Sequence, residues 1–165
     1  MRKKGTVLLI DNSSDDTRLA ELAFERAELD YSLMVLPDGL AAIDYLTGQG
    51  EYADRQRFPL PKLVLLDLAL PGLHGFEVLH LLRSQEQLNK VPVTVFSGSD
   101  YTHDMNRAYE LGANSFLVKP IEFEKFAAAL KEAVEYWVEG TPSRIPLVYL
   151  LLPQQLTTAS QFHGD

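Results

Sequence analysis

Five short, mostly apolar runs punctuate the chain, at Thr6 to Ile10, Tyr31 to Leu36, Leu63 to Leu66, Val91 to Phe96 and Ser115 to Lys119. Each is too short for a typical helix and is bounded by glycine, proline or polar residues. Each therefore reads as a strand, and the unbroken apolar ones as strands buried on both faces. Between them the pattern switches to a helical period. Asn12-Ser13-Ser14 offer capping oxygens ahead of a helix from about Asp15 to Glu28, with Leu19, Leu22 and Ala23 on its apolar stripe. Pro37-Asp38-Gly39 turns the chain into a short helix from Leu40 to Leu46, which Gly48 closes. Further helices are expected at Phe76 to Arg83, at Asp104 to Leu111 and at Glu122 to Val138. The last carries Phe126, Leu130, Val134 and Trp137 at core-facing spacing. Gly48 to Pro61 has no clear apolar period and reads as a long surface loop. Strands alternating with helices imply right-handed crossovers and an α/β fold: (βα)5, a doubly wound parallel five-stranded sheet in the order 2-1-3-4-5.

Composition narrows the class. The chain has 165 residues, 46% hydrophobic and 23% charged, enough for one globular core. Its formal net charge of −8 argues against nucleic acid and anionic membranes as partners, because both call for a lysine and arginine surface. No segment approaches the roughly 20 apolar residues of a membrane span. Met1-Arg2-Lys3-Lys4-Gly5 leads into a strand, not into the apolar segment of a signal peptide. With no cysteine there is neither disulfide frame nor thiol chemistry. A cytoplasmic protein with protein partners is expected.

The candidate chemistry lies at the strand ends. Leu63-Val64-Leu65-Leu66 runs into Asp67, and an acid at the end of a buried strand is costly unless something uses it. Open α/β sheets bind ligands at this carboxyl edge. Asp11 follows the first strand, Ser97 the fourth, and Lys119 closes the fifth, so four polar residues converge there. The set suits phosphoryl transfer to a carboxylate, with Asp67 as nucleophile, a hard divalent cation on oxygen ligands, and Ser97 and Lys119 on the transferred oxygens. Neither GxGxxG nor GxxxxGK[ST] occurs where a nucleotide site would need it. His74, His80, His103 and His163 have no metal-ligand spacing and are expected at surface or loop positions without a role.

The segments VLLIDN, LLDLALPGLHGFEVL, PVTVFSGSD and GANSFLVKP, with Asp67 and Ser97 30 positions apart and Ser97 and Lys119 22 apart, are highly specific together. They resemble the receiver domain of two-component response regulators, across about Thr6 to Val138. The resemblance implies a flavodoxin-like receiver domain over 1–139 and a C-terminal extension over 140–165. It makes Asp67 the residue phosphorylated by a sensor histidine kinase, with magnesium held by Asp11, Asn12, Asp67 and the backbone carbonyl of Ala69. Ser97 would bond a phosphoryl oxygen, and Phe116 would be the aromatic switch whose rotamer follows. Lys119 would pair with the phosphoryl group or, before it arrives, with Asp67. A cis bond is expected at Lys119-Pro120, where proline lowers its cost.

Two departures from the family pattern carry consequences. The second acidic position is Asn12, and a charge about 4 Å from a cation is worth up to about 4 kcal/mol at an effective dielectric of 20. Weakened magnesium binding is therefore expected. Asp15 and Asp16 lie close enough in sequence to compensate, although acids in a first helical turn favour the dipole and face solvent. The second departure is the Gly48 to Pro61 insertion with its GEYAD stretch, which is similar to single-domain regulators serving bacterial phytochromes. An ornamental loop is the competing reading.

Beyond the receiver, Ile145 to Leu152 is apolar and should dock on its own domain or on a partner, as a dimer-stabilising arm rather than a flexible terminus. The extension is too short for a familiar helix-turn-helix output domain. The leading expectation is a stand-alone, homodimeric receiver in a phosphorelay, associating through its fourth and fifth helical faces and signalling by protein-protein contact. A degenerate, phosphate-independent interaction module is the alternative, resting on Asn12. An aspartate-nucleophile phosphatase of the haloacid dehalogenase type would need an acid two residues after its nucleophile, where Ala69 stands. Self-dephosphorylation is thus expected to be slow, and the chain is read as a signalling protein rather than an enzyme.

Overall fold

The apolar runs at Thr6–Ile10, Leu63–Leu66 and Val93–Ser97 become strands whose successive side chains alternate between two helical layers, leaving no face for water. Ser32–Leu36, at the sheet edge, stays partly open. A computed structural model of the protein describes residues 3–98, 102–140 and 150–151. In chain order the elements are β1 (Thr6–Ile10), α1 (Ser14–Arg26), β2 (Ser32–Leu36), α2 (Gly39–Thr47), a 3-10 turn (Gly50–Tyr52), β3 (Leu63–Leu66) and α3 (Gly75–Ser84). They continue with β4 (Val93–Ser97), α4 (Thr102–Glu110), β5 (Ser115–Val118), α5 (Phe123–Trp137) and β6 (Leu150–Leu151). The first five strands are parallel in the order β2-β1-β3-β4-β5, as the alternation predicts. On one face Val7, Leu9, Leu63 and Leu65 meet Phe24 of α1 and Phe126 of α5. On the other, Leu8, Ile10, Val64 and Leu66 meet α2, α3 and Met105 of α4.

The sheet carries one strand more than expected. Leu150–Leu151 adds to it as β6, antiparallel to β5, with Phe116 opposite Leu151 and Leu117 opposite Leu150. Part of the apolar extension thus lies along its own domain, covering the β5 edge that a five-stranded sheet would leave unpaired. The rest of the extension, 141–149 and 152–165, lies outside the described residues. No helix among the described residues is long and apolar enough to cross a membrane.

The insertion before β3 is a surface loop, as expected, with most of its residues exposed, but it is tied down at several points. The Arg55 guanidinium donates to the carbonyl oxygens of Tyr45 at 2.7 Å and Leu46 at 2.8 Å, at the C-terminal end of α2, and to that of Phe58 at 3.2 Å. Tyr45, Tyr52 and Phe58 pack tilted or edge to face against one another, with ring centroids 5.1 to 6.1 Å apart. The Tyr45 hydroxyl donates to the Pro59 carbonyl at 2.8 Å. Those partners lie in different elements, which is why no local periodicity announces them.

Candidate functional site at the carboxyl edge of the sheet

Strand register sets the site. Ile10 lies beside both Leu36 and Leu66, so the residues that follow, Asp11 and Asp67, leave the sheet at the same level. Their backbone N–H groups extend the ladders, Asp11 to the Leu36 carbonyl at 3.0 Å and Asp67 to the Ile10 carbonyl at 2.9 Å. Ser97 ends β4, and its carbonyl accepts from the Lys119 N–H at 2.8 Å. Gly75 lets α3 start against this loop: a Cβ there would stand 2.7 Å from the Asp67 carbonyl oxygen and from the Leu68 Cα. His74 is not idle, since its Nδ1 accepts from the Phe76 N–H at 3.0 Å while Glu77 accepts from the His74 N–H at 2.9 Å, a capping box for α3.

The side chains close the constellation around one cation. Lys119 Nζ donates to Asp11 at 2.7 Å and to Asp16 and Asp67 at 2.8 Å each. Asp67 Oδ1 also accepts from the Ala69 N–H at 3.1 Å and, weakly, from the Ser97 hydroxyl at 3.4 Å. Asp11 and Asp67 are buried, and the Lys119 side chain is only 9% exposed. Three carboxylates thus face one ammonium in a desolvated setting, leaving negative charge in excess. Burial raises the Asp11 carboxyl above the ordinary range, against the pull of Lys119 and the Ser13 N–H, and the Asp67 charge adds to the rise. Burial alone would depress the Lys119 ammonium, but its hydrogen bonds to Asp11, Asp16 and Asp67 more than reverse this and hold it above the usual lysine range.

Asp67, Asp11, Ser97 and Lys119 therefore come together as the sequence predicts. Ala69 adjoins them through its backbone, and Phe116 is wholly buried in the α2-α3-α4 layer. Asn12 is exposed, and its amide nitrogen donates to the Pro37 carbonyl at 3.3 Å. The expected cis bond is absent: no peptide bond among the described residues is cis, so Lys119-Pro120 is trans. Trans is the intrinsically favoured isomer even before proline, and from it Lys119 already reaches all three carboxylates.

Asp16 is the residue that a solvent-facing reading misplaces. Ser13 caps α1 by accepting from the Asp16 N–H at 3.2 Å, which puts Asp16 at the third helical position, above the end of β1. A side chain there often returns to the N–H of the capping residue. That N–H is taken, because Ser13 donates to Asp11 Oδ1 at 2.9 Å, and Asp16 turns to Lys119 instead. The spacing Ser13-Ser14-Asp15-Asp16 marks Asp16 as the third helical position but not the direction its side chain takes.

Carboxylate and carbonyl oxygens are the donors a hard divalent cation takes, and excess negative charge draws one in, so this edge fits such an ion. No group of three or more His, Asp or Glu side chains among the described residues is preset as a metal cage. The carboxylates here are arranged around the lysine ammonium, at hydrogen-bond distance.

Comparison with known proteins points one way. Residues 7–131 match the family model of the response regulator receiver domain. The probable methanogenesis regulatory protein FilR2 of Methanothrix harundinacea is 38% identical over 135 residues, 80% of this chain and 83% of its own. Response regulator Rcp1 of Synechocystis sp. PCC 6803 is 35% identical over 133 residues, 81% of this chain and 88% of its own. The crystal structure of the Mn2+-bound form of Rcp1 superposes with a TM-score of 0.73 at 33% identity, over 84% of this chain and 97% of that one. The phosphorylated cyanobacterial phytochrome response regulator RcpA gives 0.76 at 29% identity, with the same coverage.

Proposed function

Because the chain belongs to the response regulator receiver family, we propose that it is a stand-alone receiver in a phosphorelay, taking a phosphoryl group on Asp67 from a sensor histidine kinase and signalling through protein-protein contact. The observation that carries this reading is the joint contact of Lys119 Nζ and the Ser97 hydroxyl with the two oxygens of the Asp67 carboxylate, at 2.8 and 3.4 Å. In the transfer, an Asp67 oxygen bonds to the phosphorus of a phosphohistidine. The P–N bond breaks, and its electron pair returns to the imidazole nitrogen, which takes a proton from solvent. Lys119 and Ser97 then contact the phosphoryl oxygens, and buried Phe116 is the switch that responds. Asp11, Asp67 and the Ala69 carbonyl would hold magnesium, with at most an amide oxygen from Asn12. When bound, that ion neutralises charge between the carboxylates and the incoming phosphoryl group.

The match spans 83% of FilR2 and 88% of Rcp1, which supports a receiver role for this chain. The likeness to RcpA supports a phytochrome-type kinase as the donor. A net charge of −8 supports protein partners over nucleic acid. Receiver domains are signalling modules, so turnover of the aspartyl phosphate is set by slow self-hydrolysis. Incubating the full chain with acetyl phosphate and magnesium should add one phosphoryl mass by intact mass measurement, and Asp67→Asn should abolish it. No adduct on the parent chain at saturating magnesium would turn the reading to the phosphate-independent module.

A further inference from the structure

Resting on the receiver reading above, we propose that Asp16 supplies the carboxylate charge that Asn12 lacks, so that the divalent cation of this site is held against Asp11, Asp16 and Asp67. Asn12 is exposed, with its amide nitrogen engaged at Pro37. Asp16 stands one helical turn further on and faces the other way, its Oδ2 2.8 Å from the ammonium that also meets Asp11 and Asp67. Its orientation has a cause: Asp11 occupies the Ser13 N–H that a third-position acid would otherwise engage. The acid count around Lys119 is thereby three despite the asparagine, and the charge deficit that Asn12 implies in sequence does not exist in space.

Exposure supports the same assignment. The Asp16 side chain is 32% exposed, against 1% for Asp11 and 11% for Asp67, so it forms the open wall of the site, where a hydrated ion enters. Hard divalent ions keep several waters, and such an ion can use Asp16 directly or through one of them. Asp15, its neighbour, is exposed. It provides the control, because removing its charge alters net charge and helix dipole equally without touching Lys119.

The test is calorimetric titration of the metal-free full chain with Mg2+, repeated with Mn2+. Asp16→Asn should weaken binding about tenfold or more, Asp15→Asn by less than about twofold, and Asn12→Asp placed in the Asp16→Asn background should restore it. Asp16→Asn indistinguishable from Asp15→Asn, or from the parent, overturns the proposal and leaves Asp16 as a lysine tether. An Asp67→Asn arm separates the two readings. Loss of Mg2+ binding there with retention in Asp16→Asn removes Asp16 alone. Unchanged binding in both, together with no acetyl phosphate adduct on the parent, removes the receiver reading as well.

Discussion

At the scale of single residues, Lys119 is the keystone of the carboxyl edge. Removing one partner of a buried ion pair costs about 3–5 kcal/mol, because the charge left behind has neither water nor counterion. Lys119→Met should therefore lower the stability of the metal-free protein at pH 8 by about 3 kcal/mol, read from urea midpoints. The sign of its pH dependence is fixed. Without the ammonium, the carboxylates of Asp11, Asp16 and Asp67 repel one another, and the native state binds protons more tightly than the unfolded chain. The deficit then shrinks as the pH falls towards 5. In the parent, the raised Lys119 pKa contributes stability that is complete below the ordinary lysine value and lost only at more alkaline pH. Asp67, Asp11, Ser97 and Lys119 were legible because each directly follows or ends an apolar run, and parallel register then places them. Asp16 was not, because its direction depends on which acceptor wins the Ser13 N–H, a competition between residues that apolar periodicity does not register.

At the scale of elements, the strands and helices of the core were legible to within a few residues, since burial on both faces imposes the strongest apolar pattern a chain can carry. The insertion and β6 were not. Arg55 works on carbonyls from two other places in the chain, and a two-residue strand gains its identity only from its partner. Hydrogen bonds from a charged group contribute about 1.5–3 kcal/mol each when buried, less when partly solvated. Arg55→Ala should cost about 2 kcal/mol in total. It should also speed proteolytic cleavage within 49–61, while Asp67 still takes up phosphate from acetyl phosphate. Loss of phosphorylation in that variant would show that the insertion supports the site as well as α2.

At the scale of the whole molecule, the sheet separates its duties: chemistry lies at the carboxyl edge, and the side beyond β5 receives the extension. A chain ending at Gly140 leaves the backbone of Phe116 and Leu117 without the partners that Leu150 and Leu151 supply. Sedimentation should therefore show the shortened chain associating more strongly than the full chain, through the edge it uncovers; identical profiles would show that β6 does not guard that edge. Alternation of elements predicted the architecture but was silent on assembly, since nothing local tells an apolar tail which edge it will cover. The other feature of β5 lies at its start. Ser115 shares a buried contact of 2.8 Å with Thr94 of β4 and accepts from the indole N–H of Trp137 on α5 at 3.1 Å. Trp137 is the sole tryptophan in the sequence. The protein thus carries a single indole, excitable to the red of its tyrosines, wired to the strand that bears Phe116 and leads into Lys119, and its emission is an optical gauge of that strand without any label.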